Sequence, residues 1–192
     1  MRIGVLAVQG AFIEHIAVLR HLEVEALPIR LPIELNGLDG LIIPGGESTS
    51  IVKLMQDYNL VNEVKNLGKN GLPIFGTCAG MILLASRTSD SEVKPLGLID
   101  IAVRRNAFGR QRESFETELV VPVLGEEPFP GVFIRAPVIE QANDGVEILA
   151  RLDNGTGVAA RQGKILVSAF HPELTSDPRF HHYFLDIVAG HH

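Results

Sequence analysis

The segment PIFGTCAGMILLAS, residues 73–86, decides the fold class because it predicts a strand, a turn and a helix in direct succession. Pro73 to Phe75 is a short apolar run typical of a buried strand, and Gly80 to Ser86 has the composition of a helix. Glycines at positions 76 and 80 permit a tight turn between the two elements. Strand and helix in alternation are the units of parallel sheets that carry helices on both faces.

The rest of the amino-terminal half repeats this alternation of apolar runs and helically spaced apolar residues. The predicted strands are Ile3 to Val8, Val24 to Ile29 and Gly40 to Ile43, and the predicted helices are Phe12 to Leu22, Ser48 to Tyr58 and Val61 to Lys69. This half of the chain is therefore expected to form a parallel sheet.

The carboxyl-terminal half differs, because strand-like segments follow one another with few helices until Arg179 to Val188. They are Leu98 to Arg104, Phe115 to Val121, Val132 to Ile134, Val146 to Leu152, Gly157 to Arg161 and Ile165 to Phe170. This pattern indicates antiparallel strands added to the sheet. We predict a three-layer, flavodoxin-like α/β fold with a mostly parallel sheet, in one domain over residues 1–192. A functional site is then expected at the carboxyl ends of the parallel strands.

Composition limits the class of protein. With 46% hydrophobic and 21% charged residues the chain is not intrinsically disordered, and a net charge of −6 disfavours general polyanion binding. Its single cysteine cannot form an internal disulfide, which favours a reducing compartment. The apolar run Ile3 to Val8 is too short for a signal peptide, and no stretch approaches 18 apolar residues. We therefore expect a cytoplasmic protein without a membrane segment.

The turn at residues 76–80, GTCAG, matches the G-x-S-x-G nucleophile elbow with sulfur in place of oxygen. Cys78 would lie at a helix amino terminus, where the helix dipole and unpaired N–H groups favour the thiolate. The N–H of Ala79 would point to the place where an oxyanion forms. The alternative is a small buried core cysteine, the common environment of a free thiol.

A thiolate nucleophile needs a base and a group that orients the base. His171 and Glu173 follow the apolar run Ile165 to Phe170. Residues two apart project to the same side of an extended chain, so the two side chains are expected to touch. The carboxylate would then fix the imidazole tautomer and stabilise its cation.

The remaining histidines are assigned no chemistry. His15 and His21 lie on the predicted first helix and are expected in structural or surface positions. His181 and His182 could suggest a metal site, but adjacent helix positions diverge, so we expect a solvated pair. No metal site is predicted.

The Gly45-Gly46-Glu47-Ser48 segment follows the strand that ends at Ile43. Two glycines let backbone N–H groups approach a ligand closely, either to hold an anion or to complete an oxyanion hole. A Gly-Gly turn before a helix capped by Ser48 explains the segment equally well.

Together, FGTCAG at 75–80 and His171-Pro172-Glu173 resemble the class I, or triad, glutamine amidotransferases. Further segments are similar to the glutaminase subunits of pyridoxal 5′-phosphate synthases. They are Gln9-Gly10 with Glu14-His15, PGGEST at 44–49, RNAFGRQ at 105–111 and GVFIRAP at 131–137. The resemblance runs from about residue 2 to residue 188. Ile13 stands where relatives often carry arginine.

The resemblance implies a role for each matching position. Cys78 would be the nucleophile, His171 the general base and acid, and Glu173 its orienting partner. The implied glutamine-binding positions are Gly46, Glu47, Ser48, Arg105, Ile134 and Arg135. The N–H groups of Gly46 and Ala79 would form the oxyanion hole, with Gln9 beside it at the partner interface.

The implied reaction converts L-glutamine and water into L-glutamate and ammonia, with no metal or organic cofactor. Ammonia would pass, in a large hetero-oligomer, to a synthase subunit that builds pyridoxal phosphate from a pentose phosphate and a triose phosphate. Arg104, Arg105, Arg110 and Arg112 are then expected to contact glutamine and the partner rather than nucleic acid.

Two alternatives stay open. The chain could be a triad enzyme that serves another pathway, or a non-catalytic regulatory module on the same fold.

Overall fold

The structure is a computed structural model that describes residues 1–108 and 113–191. Its strands are β1 (Arg2–Leu6), β2 (Glu25–Ile29), β3 (Gly40–Ile43), β4 (Ile74–Thr77), β5 (Ala85–Thr88), β6 (Ile99–Arg104), β7 (Ser114–Leu119), β8 (Phe129–Ile134), β9 (Val138–Ala142), β10 (Glu147–Arg151), β11 (Gly157–Gln162) and β12 (Ile165–Ser168). The α-helices are α1 (Phe12–His21), α2 (Ser48–Asp57), α3 (Leu60–Lys69), α4 (Ala79–Leu84) and α5 (Arg179–Ala189). In these described ranges, every helix is too short or too polar to cross a membrane.

A large sheet runs through the molecule in the order β2-β1-β3-β4-β12-β11-β9-β6-β5, with β10 paired to β11. The pairs from β2 to β12 are parallel, and so is the β5–β6 pair. The pairs that join β12, β11, β9 and β6, and the β10–β11 pair, are antiparallel. The prediction of a mostly parallel α/β sheet with added antiparallel strands is confirmed. The carboxyl-terminal β12 is itself a parallel strand, beside β4.

Helices cover both faces of the sheet, as two adjacent residues of β4 illustrate. Phe75 stacks on Phe180 of α5 at a ring-centroid distance of 5.6 Å and meets the edge of His15 on α1 at 6.3 Å. Ile74 points to the opposite face, where α3 packs so closely that a Cβ on Gly68 would lie 3.1 Å from the Ile74 side chain. Successive strand residues alternate between faces, so the domain has three layers.

Two strands were not predicted. The helix predicted over Gly80 to Ser86 ends at Leu84, and Ala85–Thr88 continues as β5 because it pairs with β6. Val138–Ala142 forms β9 between β6 and β11. Both segments are short and half polar, so their strand character comes from their partners rather than from their own sequence.

The segments predicted as Phe115 to Val121 and Val132 to Ile134 do not join the large sheet, which corrects our prediction. They form β7 and β8, a separate antiparallel ribbon. Phe115 stacks on Phe133 at 4.6 Å, and Phe133 packs on Phe170 at 5.7 Å. Through this aromatic cluster the ribbon packs against the residues that follow β12. There the Val132 carbonyl accepts a hydrogen bond from the His171 backbone N–H at 2.8 Å.

Candidate active site

Cys78 lies in the turn between β4 and α4 with a φ of +50°, a conformation uncommon for a residue with a side chain. The turn is tight: a Cβ on Gly80 would collide with the Ile43 carbonyl, and one on Gly76 would lie 2.6 Å from the Gly80 carbonyl. The Cys78 N–H donates to the Ser168 carbonyl at 2.7 Å, which ties the turn to β12. The geometry is that of the predicted nucleophile elbow.

His171 and Glu173 touch as predicted, with 2.7 Å between His171 Nδ1 and Glu173 Oε1. The backbone that brings them together is not the extended strand that we expected. The strand β12 ends at Ser168, and Pro172–Leu174 forms a 3₁₀ turn closed by the Leu174 N–H to the His171 carbonyl at 3.2 Å. Pro172 begins this turn because its fixed φ suits the first helical position.

The charges of this pair reinforce each other. Burial lowers the pKa of His171, but hydrogen bonds to Cys78 and Glu173 and the negative charges of both outweigh it and raise this pKa to about 10. Burial raises the pKa of Glu173, but the proximity of His15 and the hydrogen bond from His171 bring it below its ordinary value. His171 is therefore held as an imidazolium between a carboxylate and the cysteine.

Behind Glu173 lies a buried histidine pair, which corrects one prediction. His182 is exposed, but His181 is fully buried, and its Nε2 lies 2.9 Å from His15 Nδ1. Adjacent side chains on a helix point in different directions, so the His181 ring lies in the core while the His182 ring lies in solvent. His15 is buried and His21 exposed, in keeping with structural and surface positions.

Gly45 contacts the side chains of both Cys78 and His171. A Cβ on this residue would lie 2.5 Å from His171 Cε1 and 3.2 Å from Cys78 Cβ, so only glycine fits here. The Gly45 N–H donates to Thr77 Oγ1 at 3.1 Å, and its carbonyl accepts from the Ala11 N–H at 3.0 Å. The Gly45–Gly46 peptide is thereby fixed between β4 and the start of α1.

Glu47, and not Ser48 as the alternative reading of the Gly-Gly turn supposed, caps α2. Its carboxylate accepts hydrogen bonds from the N–H groups of Thr49 and Ser50 at 3.3 and 2.7 Å. The hydrogen bond from the Thr49 hydroxyl is the main cause that lowers the pKa of Glu47 to about 2, against the effect of burial. Ser48 becomes the first helical residue, and its buried Oγ has no hydrogen-bond partner.

The proposed substrate and oxyanion positions surround one cavity of about 340 Å³, a volume suited to a small ligand. Cys78 and His171 line it, while Glu173 lies behind His171. The other predicted residues that line it are Gln9, Gly46, Glu47, Ser48, Ala79, Arg105, Ile134 and Arg135. The structure thus brings these positions together, while their individual roles stay predictions. Among the residues it describes, no group of three or more His, Cys, Asp or Glu side chains could hold a metal ion.

Three contacts within this cavity bear on the predicted roles. Gln9 Oε1 accepts a hydrogen bond from the Glu47 N–H at 3.0 Å. The Ile134 carbonyl lies 3.9 Å from Cys78 Sγ, within the range of a weak thiol hydrogen bond. Arg135 is exposed at the rim with a φ of +42°. Backbone and side chains from three loops therefore converge on the thiol.

Two of the four arginines form ion pairs within the chain, while their predicted contacts with glutamine and the partner stay predictions. Arg105 forms ion pairs with Asp90 at 2.5 Å and with Glu47 at 2.8 Å, so its guanidinium joins two carboxylates at the cavity rim. Arg104 pairs with Glu140 at 3.0 Å on the other side of β6. Arg110 and Arg112, and residues 109–111 of the RNAFGRQ segment, lie outside the described residues.

The profile of the SNO glutamine amidotransferase family matches residues 5–189. The chain belongs to this family. The match spans the elbow, the His171-Pro172-Glu173 turn and every residue that lines the cavity. A solved structure titled "Crystal structure of glutamine amidotransferase" superposes with a TM-score of 0.92 at 50% identity, covering 98% of this chain and 100% of that one.

Two relatives resemble the chain over its length. "Pyridoxal 5'-phosphate synthase subunit PdxT" of Herpetosiphon aurantiacus is 57% identical over 190 residues, covering 97% of this chain and 100% of that protein. The protein of the same name from Pelotomaculum thermopropionicum is 57% identical over 186 residues, covering 97% and 94%. The family match and these relatives agree with the resemblance found in the motifs.

Sequence reasoning missed three side chains that the site uses. Thr77 accepts from Gly45 and contacts His15, Asp90 binds Arg105, and His15 faces Glu173. Thr77 and His15 both lay within quoted motifs, so their position in those motifs was the available signal. Asp90 had no such signal, because it lies outside every motif.

The buried histidine pair predicts a loss of stability in mild acid. Burial is the main cause that lowers the pKa of both rings, that of His181 to about 3. Below pH 6.5 the unfolded chain therefore binds protons that the native protein excludes, and stability falls as pH falls. The expected slope is up to about 1.4 kcal/mol per pH unit for each ring.

Urea unfolding at pH 7, 6 and 5 measures this slope. The relevant measure is the slope from pH 6 to 5, because carboxylates with lowered pKa values contribute mainly below about pH 4.5 and the raised pKa of His171, which changes stability in the opposite sense, acts mainly above pH 6.5. His181→Gln should flatten the slope, while the exposed His21→Gln should leave it unchanged. A free energy of unfolding constant from pH 7 to 5 would contradict this assignment.

Arg105 and Arg135 are expected to act on substrate affinity. An arginine stays protonated at any working pH, so it can hold a carboxylate but cannot serve as a base. Replacing either by methionine should raise KM for glutamine about tenfold, the order of one charged hydrogen bond, without moving the pH optimum. Arg104→Met is the matched control for Arg105, because its side chain pairs with Glu140 away from the cavity. A shifted pH profile with unchanged KM would contradict this role.

Proposed function

We propose that the chain is the glutaminase subunit of a pyridoxal 5′-phosphate synthase. It hydrolyses L-glutamine to L-glutamate and ammonia, and the ammonia passes to a synthase subunit. The observation that carries the proposal is the arrangement of Cys78 on its elbow against the hydrogen-bonded His171 and Glu173. Family membership and the names of relatives more than half identical support the pathway. One sheet that incorporates both halves of the chain supports a single domain over residues 1–192.

The proposed reaction proceeds by covalent catalysis. The Cys78 thiolate attacks the side-chain amide carbon of glutamine, and N–H groups of Gly46 and Ala79 stabilise the oxyanion. His171 gives its proton to the departing nitrogen, so that the C–N bond breaks and ammonia leaves. His171 then takes a proton from water, which hydrolyses the γ-glutamyl thioester and releases glutamate. Glu173 orients the ring and stabilises its cation throughout.

Ala79 suits its proposed role because it opens α4, where the first N–H groups of a helix have no partner within the helix. Ser48 suits substrate binding because it lines the cavity as the first residue of α2, where backbone N–H groups have no partner within the helix. Arg135 supplies a positive charge at the rim for the glutamine carboxylate. Arg105 acts through Glu47, whose carboxylate it binds.

The start of α1 is the proposed contact with the synthase subunit. Ile13 is 66% exposed there, and an exposed large apolar side chain is suited to an interface. The same segment controls the oxyanion peptide, because Ala11 binds the Gly45 carbonyl and Gln9 binds the Glu47 N–H. A partner that moves this segment would therefore change the peptide that carries the Gly46 N–H. The site of action is the cytoplasm, in keeping with the single free thiol.

Ammonia release from purified chain, with and without the synthase subunit of the same organism, tests the proposal. Release should be slow alone and rise on the order of 10²–10³-fold with the partner, saturating at one-to-one stoichiometry, because one oxyanion donor is worth about that much. Pyridoxal phosphate should form when a pentose phosphate and a triose phosphate are present. Ammonia release without that product would favour a glutaminase of another pathway. Binding without ammonia release would favour a regulatory module.

A further inference from the structure

The triad carboxylate has a second oxygen that the proposed mechanism leaves unassigned. Glu173 Oε1 binds His171, whereas Oε2 is fully buried and makes no hydrogen bond of good geometry. Its close polar neighbour is His15 Nε2 at 3.4 Å, an ion-pair distance between two fully buried side chains. A buried carboxylate oxygen without a donor is costly, so the protonation of His15 matters.

The tautomers of the two buried rings depend on each other. His15 Nδ1 and His181 Nε2 lie 2.9 Å apart, so one nitrogen must donate and the other accept. If His15 carried its proton on Nδ1, its Nε2 lone pair would face Glu173 Oε2, and His181 would keep an unpaired N–H in the core. If His181 donates instead, His15 Nε2 carries the proton that faces the carboxylate, and the atom left unpaired is the His181 Nδ1 lone pair. Orphaned acceptors are tolerated better than orphaned donors, so the second state is favoured.

We propose that His15 is a positioning residue of the catalytic triad, with His181 as the residue that fixes its tautomer; this inference rests on the proposed glutaminase function. The His15 Nε2–H lies between Thr77 Oγ1 at 3.2 Å and Glu173 Oε2 at 3.4 Å, and its attraction for Oε2 keeps Oε1 directed at His171 Nδ1. These contacts form a continuous series from Cys78 through His171, Glu173 and His15 to His181.

The same ring also contacts the strand that leads to the nucleophile. His15 Nε2 lies 3.2 Å from Thr77 Oγ1, and Thr77 precedes Cys78 and binds the Gly45 N–H. His15 therefore lies between the turn that carries His171 and Glu173 and the elbow that carries Cys78. It belongs to α1, and Ala11, directly before this helix, donates to the Gly45 carbonyl. An apolar side chain could fill this space, but it would leave Oε2 without any donor.

The first experiment compares His15→Met, which removes the donor, with His15→Gln, whose amide nitrogen replaces Nε2–H. The assay is ammonia release by the complex with the synthase subunit, per active site titrated with a thiol-reactive glutamine analogue. His15→Met should lower kcat on the order of 10- to 100-fold, as loss of alignment does, with KM unchanged. His15→Gln should keep most of the activity. His21→Met, on the same helix and exposed, should match wild type.

The alkaline limb of the pH–rate profile separates positioning from simple packing. A carboxylate that is no longer held stabilises the His171 cation less, so the limb should move to lower pH in His15→Met and return in His15→Gln. The titratable groups that face His15 are Glu14 on its own helix, Glu173 and His171 on the turn, and His181 on α5. If both variants keep the wild-type limb and kcat, or if both lose activity equally, the proposal is wrong.

A second measurement needs no variant, so a substitution that fails to fold leaves the proposal testable. Nitrogen-15 NMR of the histidine side chains in the wild-type protein should find His15 neutral with its proton on Nε2, and His181 likewise. A proton on His15 Nδ1 would overturn the inference whatever the kinetics show. If the wild-type complex released no ammonia, the proposed function would fail, whereas the tautomers would still be determined.

Discussion

Replacing Cys78 by alanine is expected to abolish glutamine hydrolysis while the fold survives. The thiolate is the only covalent nucleophile in the proposed mechanism, so its loss should lower kcat on the order of 10⁴-fold or more. The substitution removes one sulfur atom that borders the cavity, so packing changes little and the melting temperature should stay close to wild type. Cys78→Ser tests the same point at nearly constant size, because a hydroxyl stays protonated where a thiol ionises.

Ammonia release and thermal unfolding of the same preparations check this prediction. Because Cys78 is the sole cysteine, a glutamine-analogue electrophile should label the wild type once per chain and leave both variants unlabelled. Unimpaired binding of the synthase subunit would show that the variants keep their native surface. Retained activity together with a large fall in melting temperature would instead support a core cysteine.

The elbow could be predicted from sequence because its constraints are local. The strand, the turn glycines and the helix lie within 14 consecutive residues, and the turn cannot form unless positions 76 and 80 lack a side chain. The contact between His171 and Glu173 was predicted for the same reason, since two residues on one short turn remain within reach of each other whether the chain is extended or a 3₁₀ turn. The local contact was therefore predicted correctly even where the backbone conformation was not.

The strands of the second half were harder, because pairing is set by distant segments. Nothing in Phe115 to Val121 distinguishes a ribbon strand from a sheet strand. Its place follows from Phe133, which stacks on Phe115 and packs in turn on Phe170. The strand β9 pairs with β6 and β11, and β5 exists because it pairs with β6. Strand propensity shows that a segment fits a half-buried sheet surface, but it does not identify the strand with which the segment pairs.

The contacts of His15 with His181 and Thr77 could not be predicted from sequence, for a related reason. His15 lies 166 residues from His181 and 62 from Thr77 in the chain, and only the order of β1, β3, β4 and β12 brings α1 and α5 together over Phe75. From sequence, His181 and His182 are equivalent neighbours. Burial alone distinguishes them, and burial depends on which face of α5 packs against the sheet.

Replacing His171 by asparagine should cost more activity than replacing Glu173 by glutamine. His171 moves protons in both halves of the reaction, whereas Glu173 orients and stabilises the ring without bonding to substrate. In triads, loss of the base exceeds loss of the orienting acid by on the order of tenfold or more in kcat. Glu173→Gln keeps the size of the side chain, removes its negative charge and leaves one acceptor oxygen where the carboxylate had two.

The pH dependence separates these two roles of Glu173. Burial lowers the pKa of His171, but hydrogen bonds to Cys78 and Glu173 and the charge of Glu173 help raise it to about 10. Without that charge the imidazolium loses its proton at lower pH, so the alkaline limb of kcat/KM should move down in Glu173→Gln. In the proposed tautomer His15 Nε2–H faces the other oxygen, and a glutamine amide offers one acceptor to the two ring N–H groups, so His15→Met should cost less activity in Glu173→Gln than in wild type. Equal kinetics of wild type and His171→Asn would refute the triad itself.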